Sequence, residues 1–250
     1  LVTIAGTNFG PVDDGNDVIA VYQNAALSST YAKGAFTGVE CAVTVNHTQI
    51  TCKPSIGAGK DQRWTVAVGD QQSTASGDTT SYVVPAIVGL LPTSFPTEAA
   101  TNVTITGTNF GADVADNAVS ATYQNTALSD LAGSLYNATG CAVTVNHTQM
   151  VCTSVAGGVG HGQRWKVDVG DQASSASTAT TSYNAPTITS LGGLSTFATS
   201  GSDTALVTIT GTNFGPKDAT ANPVIAVYQN DTLSSAYAKG VFTASGCEVS

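Results

Sequence analysis

Five cysteines and three histidines are the side chains of this chain best suited to bind a metal or form a covalent bond. The cysteines stand at positions 41, 52, 141, 152 and 247, so two pairs share one spacing. Each pair brackets Val-Thr-Val-Asn-His-Thr-Gln, which can fold back as a hairpin around Asn46-His47 or Asn146-His147 and set its cysteines face to face. A disulfide within each pair, Cys41 with Cys52 and Cys141 with Cys152, is the expected product, and it calls for an oxidising compartment. A zinc site needs four ligands, and each hairpin tip offers a single histidine, so zinc is set aside. Cys247 stands where a third pair would begin, and its partner is expected about eight residues beyond Ser250. His47, His147 and His161 have no acidic or nucleophilic neighbour at a recurring spacing, so neither a triad nor a metal cluster is expected. Asp13-Asp14-Gly15-Asn16-Asp17 offers the oxygens of a calcium loop. The equivalent segments, Ala112 to Asn117 and Lys217 to Asn222, lose most of them, and the reading is an acidic turn. No residue is assigned to catalysis, to a cofactor or to a metal, and the protein reads as a non-enzyme.

Attachment chemistry is better represented. Sequons occur at Asn46, Asn102, Asn137, Asn146 and Asn230, in a chain where 60 residues are Ser or Thr and chance alone supplies several. Asn46 and Asn146 stand out because both fall at equivalent, exposed hairpin tips, and N-glycans are expected there. Asn102, inside a strand, is the weakest of the five. The segments Ser73 to Ser81 and Ser174 to Ser182 are dense enough in hydroxyls for O-glycans, although plain strand and loop explain them equally well. Trp64 and Trp165 read as core residues before they read as sugar-binding platforms.

The elements that position these groups come from a repeat. Gly6-Thr7-Asn8-Phe9-Gly10 returns at Gly107 to Gly111 and at Gly211 to Gly215. Tyr22-Gln23-Asn24 returns at Tyr123 and at Tyr228, and Cys41 to Gln49 returns letter for letter at Cys141 to Gln149. Gln62-Arg63-Trp64 returns as Gln163-Arg164-Trp165, each followed by Val-Gly-Asp-Gln. A period of roughly 100 residues is that of a whole small domain rather than a solenoid unit. Ser81-Tyr82-Val83-Val84-Pro85 and Ser182-Tyr183-Asn184-Ala185-Pro186 mark the joints. They divide the chain into residues 1–84, a unit lacking its first strand, residues 85–185, a complete unit, and residues 186–250, a unit cut after its first cysteine. The joints are short, so close coupling between neighbours is expected, as is a longer array. Units one and three share Val-Ile-Ala-Val-Tyr-Gln-Asn and Tyr-Ala-Lys-Gly, which hints at a two-unit super-repeat.

Within a unit the pattern is β. Trp64, Val66 and Val68 alternate with Arg63, Thr65 and Ala67, the period of a half-buried strand, and Gly69-Asp70 supplies a two-residue turn. Val18 to Tyr22, Cys41 to Val45 and Asn102 to Thr106 read as further strands. About seven short strands in ~100 residues is the size of an immunoglobulin-like sandwich. A Pro-containing opening, Val-Thr-Ile-Thr-Gly-Thr-Asn-Phe-Gly, the cysteine pair and a closing Ser-Tyr together resemble the IPT/TIG family. Those immunoglobulin-like domains occur in plexin-type receptors, surface proteins and some transcription factors. The resemblance covers the whole chain and implies an all-β tandem of immunoglobulin-like sandwiches; fold alone does not fix function.

Charge narrows the partners. Eight Lys and Arg against 17 Asp and Glu give a net charge of −9, which argues against nucleic acid. No apolar run reaches the ~18 residues of a membrane helix; Val83 to Leu91 is broken by Pro85 and Gly89. Only 10% of residues are charged, so uncharged strand faces must be covered by glycans or by other copies. The expected function is therefore a structural repeat of a glycosylated extracellular fibre or cell-surface appendage that self-associates. An adhesion or recognition ectodomain of a receptor, and an accessory carbohydrate-binding module of a secreted enzyme, are the alternatives.

Overall fold

In the computed structural model the chain is described over residues 1–12, 17–128, 130–193, 195–200, 206–217, 224–230, 232 and 240–250. Two sandwiches follow one another, and each sets two sheets face to face. In the second repeat one sheet runs Thr139–Val145, Gln149–Thr153, Asn102–Thr108, Ala86–Leu91. The other runs Ser94–Phe95, Thr180–Tyr183, Gln163–Val169, Val119–Gln124, Tyr136–Asn137, with Gln172–Ala173 also on Gln163–Val169. Pairing is antiparallel except between Ser94–Phe95 and Thr180–Tyr183.

The first repeat is built alike. Val39–Val45, Gln49–Lys53 and Val2–Ala5 form one sheet; Phe36–Thr37, Val18–Gln23, Gln62–Val68 and Gln71–Gln72 form the other, joined by Thr79–Thr80. Among its described residues nothing corresponds to Ala86–Leu91, so one edge of Val2–Ala5 is unpaired. The consequence shows in burial: Val103 and Ile105 are fully buried, whereas Val2 and Ile4, their equivalents, are half-buried. In the third segment Thr187–Gly193 pairs with Val207–Thr212, and its register shifts at the same place as that of Ala86–Leu91 on Asn102–Thr108. Val227–Tyr228 pairs with Phe242–Thr243. The one helical turn among the described residues is the 3-10 segment Asp130–Gly133.

Strand alternation builds the cores. Trp64 and Val66 point inward and are buried, while Arg63 points out. The Trp64 ring stacks on Tyr22 at 4.2 Å between centroids, and Trp165 stacks on Tyr123 at 4.3 Å. Offset stacking of this kind adds to area burial. Each indole N–H donates to a threonine hydroxyl, Trp64 to Thr80 at 2.9 Å and Trp165 to Thr181 at 2.8 Å. Both tryptophans are core residues, as expected. The closing Ser-Tyr of each unit has a stated job: the Tyr82 and Tyr22 hydroxyls lie 2.6 Å apart, those of Tyr183 and Tyr123 2.7 Å. Burial, then the partner hydroxyl, pushes Tyr82 and Tyr183 well above the ordinary tyrosine value, so both stay protonated.

The Gly-Thr-Asn-Phe-Gly motif resolves into separate roles. Asn8 and Gly10 take φ of 65° and 83°, and Asn109 and Gly111 repeat this at 63° and 78°. The first glycine is needed for space instead: a Cβ on Gly6 would lie 2.4 Å from the Phe9 ring, and one on Gly107 2.4 Å from the Phe110 ring. Phe9 and Phe110 are buried, and Phe214 is half-buried.

Candidate functional site

Three places carry the groups singled out by chemistry: the disulfide hairpins, their tips, and the joint between the first two repeats. Cys41–Cys52 and Cys141–Cys152 are bonded, with Cα atoms 4.2 and 4.1 Å apart. Each bond links adjacent strands of one hairpin, Val39–Val45 to Gln49–Lys53 and Thr139–Val145 to Gln149–Thr153. This differs from a staple between facing sheets. By the chain-entropy argument a loop this short is worth roughly 2–3 kcal/mol. Two intradomain disulfides place these repeats in an oxidising environment. Cys247 is half-buried and unpaired among the described residues.

At each tip two repeated motifs dock on one another. His47 N–H donates to Gly10 O at 2.6 Å, Phe9 N–H to His47 O at 3.1 Å and Gly6 N–H to Thr48 O at 3.0 Å. The second repeat makes the same three bonds through His147, Gly111, Phe110, Thr148 and Gly107. The sequon asparagines take part. Asn46 Oδ1 accepts from Val12 N–H and Asn146 Oδ1 from Asp113 N–H, both at 2.7 Å. Asn46 and Asn146 are exposed, as the hairpin reading expects, and they are also anchors. The residue pattern gave no sign of the anchoring, because the N–H donor lies 34 residues away from Asn46 and 33 from Asn146 rather than nearby in the chain.

The other sequons sit differently. Asn102 opens its strand, exposed, and accepts from Thr153 Oγ1–H at 2.9 Å. Asn137 is exposed in Tyr136–Asn137. Asn230 caps a turn, accepting from Thr232 N–H at 3.0 Å. Its counterparts Asn24 and Asn125 make the same turn and donate from Nδ2 to Lys60 O and His161 O. The calcium-like segment Asp13 to Asp17 lies largely outside the described residues. Among those described, no group of three or more His, Cys, Asp and Glu could hold a metal.

The serine-rich segments run into the strands Thr79–Thr80 and Thr180–Tyr183, and serine hydroxyls tie the stretch before each strand to the sheet. Ser73 N–H donates to Val66 O while Val66 N–H donates to Ser73 Oγ; Ser76 does the same with Trp64. Ser174 and Ser177 repeat this on Val167 and Trp165, and both are buried. These four hydroxyls stand in for main-chain carbonyls along a strand edge. The spacing Ser-x-x-Ser in both units was the available signal.

At the joint, the hairpin turn of the second repeat seats on loops of the first. Ser28 N–H donates to Asp171 Oδ2 at 2.5 Å and Ser28 Oγ–H to Asp171 Oδ1. Gln172 Nε2–H donates to Tyr82 O at 2.9 Å, and Tyr31 N–H to Asp116 O at 3.1 Å. Leu27, Ala32 and Ala58 of the first repeat belong to the same buried cluster as Val169 of the second. The fit is close: a Cβ on Gly170 would lie 2.7 Å from Gly59 N. Asp171 is held below the ordinary carboxylate value, chiefly by the Ser28 hydroxyl. Asp168 is pushed up by burial and then by the charge of Asp171. A cleft bounded by Ile56, Tyr82, Asn109, His147 and Gln172 remains beside the contact. Between the second repeat and the third segment, Thr97 N–H donates to Asn213 Oδ1 at 3.3 Å.

Comparison with known proteins agrees with this architecture. The model of the IPT/TIG domain matches residues 1–82 and 85–183. Among curated proteins none matches the chain. Paired sheets, the repeated core and two successive family matches lead to one conclusion: the chain belongs to the IPT/TIG family and carries two IPT/TIG domains in tandem.

Proposed function

We infer that these domains are structural repeats of a glycosylated extracellular fibre or cell-surface appendage, without catalytic activity. The observation that supports this reading best is the joint. Leu27, Ala32 and Ala58 bury themselves in the core of the next repeat, and four side-chain and main-chain hydrogen bonds cross with them. Flexible tethering would leave such surfaces wet; a packed, hydrogen-bonded joint transmits orientation from one repeat to the next. Sparse charge and outward-facing Ile19, Val39, Val45, Val88 and Val145 add surfaces that a filament or a coat of glycans would cover. The disulfides fit secretion.

Electron microscopy of the native protein, with mass spectrometry of its peptides, tests the reading. Elongated particles with a constant repeat and glycan mass on Asn46 and Asn146 are expected. Monomers whose repeats tumble independently in nuclear magnetic resonance relaxation would overturn it and favour a receptor ectodomain.

A further inference from the structure

The contact that seats the second repeat on the first uses one end of a domain as a knob, and the same knob stands bare on the first repeat. In the second repeat the knob is the turn Val169-Gly170-Asp171-Gln172, flanked by Gly111 and His147. In the first it is Val68-Gly69-Asp70-Gln71. The turns match in conformation: Gly69 and Asp70 take φ of 56° and 61°, Gly170 and Asp171 59° and 61°. They differ in cover. Val169 is 2% exposed and Gln172 9%, and Gly170 is buried; Val68 is half-buried while Gly69, Asp70 and Gln71 are exposed. A Cβ built on Gly69 meets nothing within 4 Å. The turn therefore holds its docking shape without a partner, which lowers the ordering cost of binding one.

We propose that this bare end of the first repeat is a docking surface for the opposite end of a further repeat of the same kind. Each group of the knob finds its complement in the joint already described. Asp70 offers a carboxylate to a serine N–H and O–H, as Asp171 does to Ser28. Gln71 offers an amide N–H to a main-chain carbonyl, as Gln172 does to Tyr82. Gly69 offers bare backbone of the kind that Gly170 presents to Ala32 and Gly59. One difference favours the contact: Ala67 stands where Asp168 crowds Asp171, so Asp70 has no carboxylate neighbour at that position. Knob and socket are different ends of one domain, so the contact is heterologous and does not close on itself. It gives the proposed fibre its rule of growth, and it rests on that reading only in taking the array as head-to-tail.

The test is a longer protein in which residues 1–101 are repeated ahead of Leu1. Thr101 then precedes the equivalent of Asn102, so the added socket is spaced from Gly69 to Gln71 as the natural one is from Gly170 to Gln172. Amide hydrogen exchange is read at both turns, the natural joint serving as internal standard. Protection at Gly69 to Gln71 should rise on the order of tenfold or more over the unextended chain, toward that of Gly170 to Gln172. Gly69→Asn, which keeps the positive φ but fills the seat, should return it to the unextended value. With nothing near that Cβ, the variant leaves its own repeat folded, and unchanged protection along Gln62–Val68 verifies this. A turn that exchanges equally fast with and without the added repeat, while Gly170 to Gln172 stay protected, overturns the proposal. So does protection that survives Gly69→Asn. Neither result touches the fibre reading, which microscopy and glycan mass decide separately; a protected turn in a protein that forms no filament would refute the fibre alone.

Discussion

Asn46 shows how one side chain can answer two demands. Its Oδ1 anchors Val12 N–H, while its Nδ2 is the atom a glycan would occupy. Thr48→Ala removes the sequon and leaves the anchor; Asn46→Ala removes both. Peptide mass should fall by a glycan in each variant, but only Asn46→Ala should lose about 1 kcal/mol of stability in denaturant titration. The serines behave differently because their partners are buried. Ser177→Ala strands the N–H of Trp165, whose residue is fully buried, and should cost about 1–3 kcal/mol. Ser76→Ala, at a half-buried site, should cost less in the same titration. At this scale the letters named the cysteine pairs and the exposed tips, because both depend on neighbours a few positions away. The anchor on Asn46 lies 34 residues off, beyond what local spacing can signal.

Strands and turns were the most readable elements. Alternation placed Trp64 and Val66 inside, and Gly69-Asp70 announced the turn between Gln62–Val68 and Gln71–Gln72. The same dipeptide at Gly170-Asp171 was equally readable as a turn, but not as a joint, since turn chemistry does not say what packs on it. A pair of substitutions separates the two jobs. Asn tolerates positive φ, so Gly69→Asn should shift the melting temperature little. Gly170→Asn drives a side chain into Gly59 and Ala32 and should loosen the joint, seen as faster exchange at Asp171 and Gln172 with the second core unaffected. The serine-lined edge was legible only in part, for a physical reason. Hydroxyl-rich segments read equally as glycan carrier or as plain strand and loop, and neither reading foretells that side-chain oxygens here replace ladder carbonyls at alternate positions of the neighbouring strand.

For the molecule as a whole, acidity tunes the joint. Asp171 is depressed, so what it contributes to docking is complete above the ordinary carboxylate value and drains away as pH falls through its lowered one. Asp168 is raised, so its contribution has the opposite sign and is lost as pH rises through its elevated value. Lys60 lowers both. Acidification from neutrality should first protonate Asp168 and tighten the joint, then protonate Asp171 and release Ser28. Protection at the joint, taken relative to the intrinsic amide exchange at each pH, should pass through a maximum near the ordinary carboxylate range, and Asp168→Asn should flatten its neutral side.

The hairpin disulfides have a mechanical consequence. Pulled from its ends, a repeat that yields pays out chain at about 3.3–3.6 Å per residue. The segment between bonded cysteines 11 positions apart cannot pay out at all. Each yielded repeat therefore stops short by roughly 35 Å of contour, and the stretch held back contains the strand ends and the tip with its sequon asparagine. Reduction would lengthen every step of the force–extension trace by that amount. An oxidised tandem of such repeats is thus the shorter-reaching one, and its hairpin tips ride through extension without being drawn out.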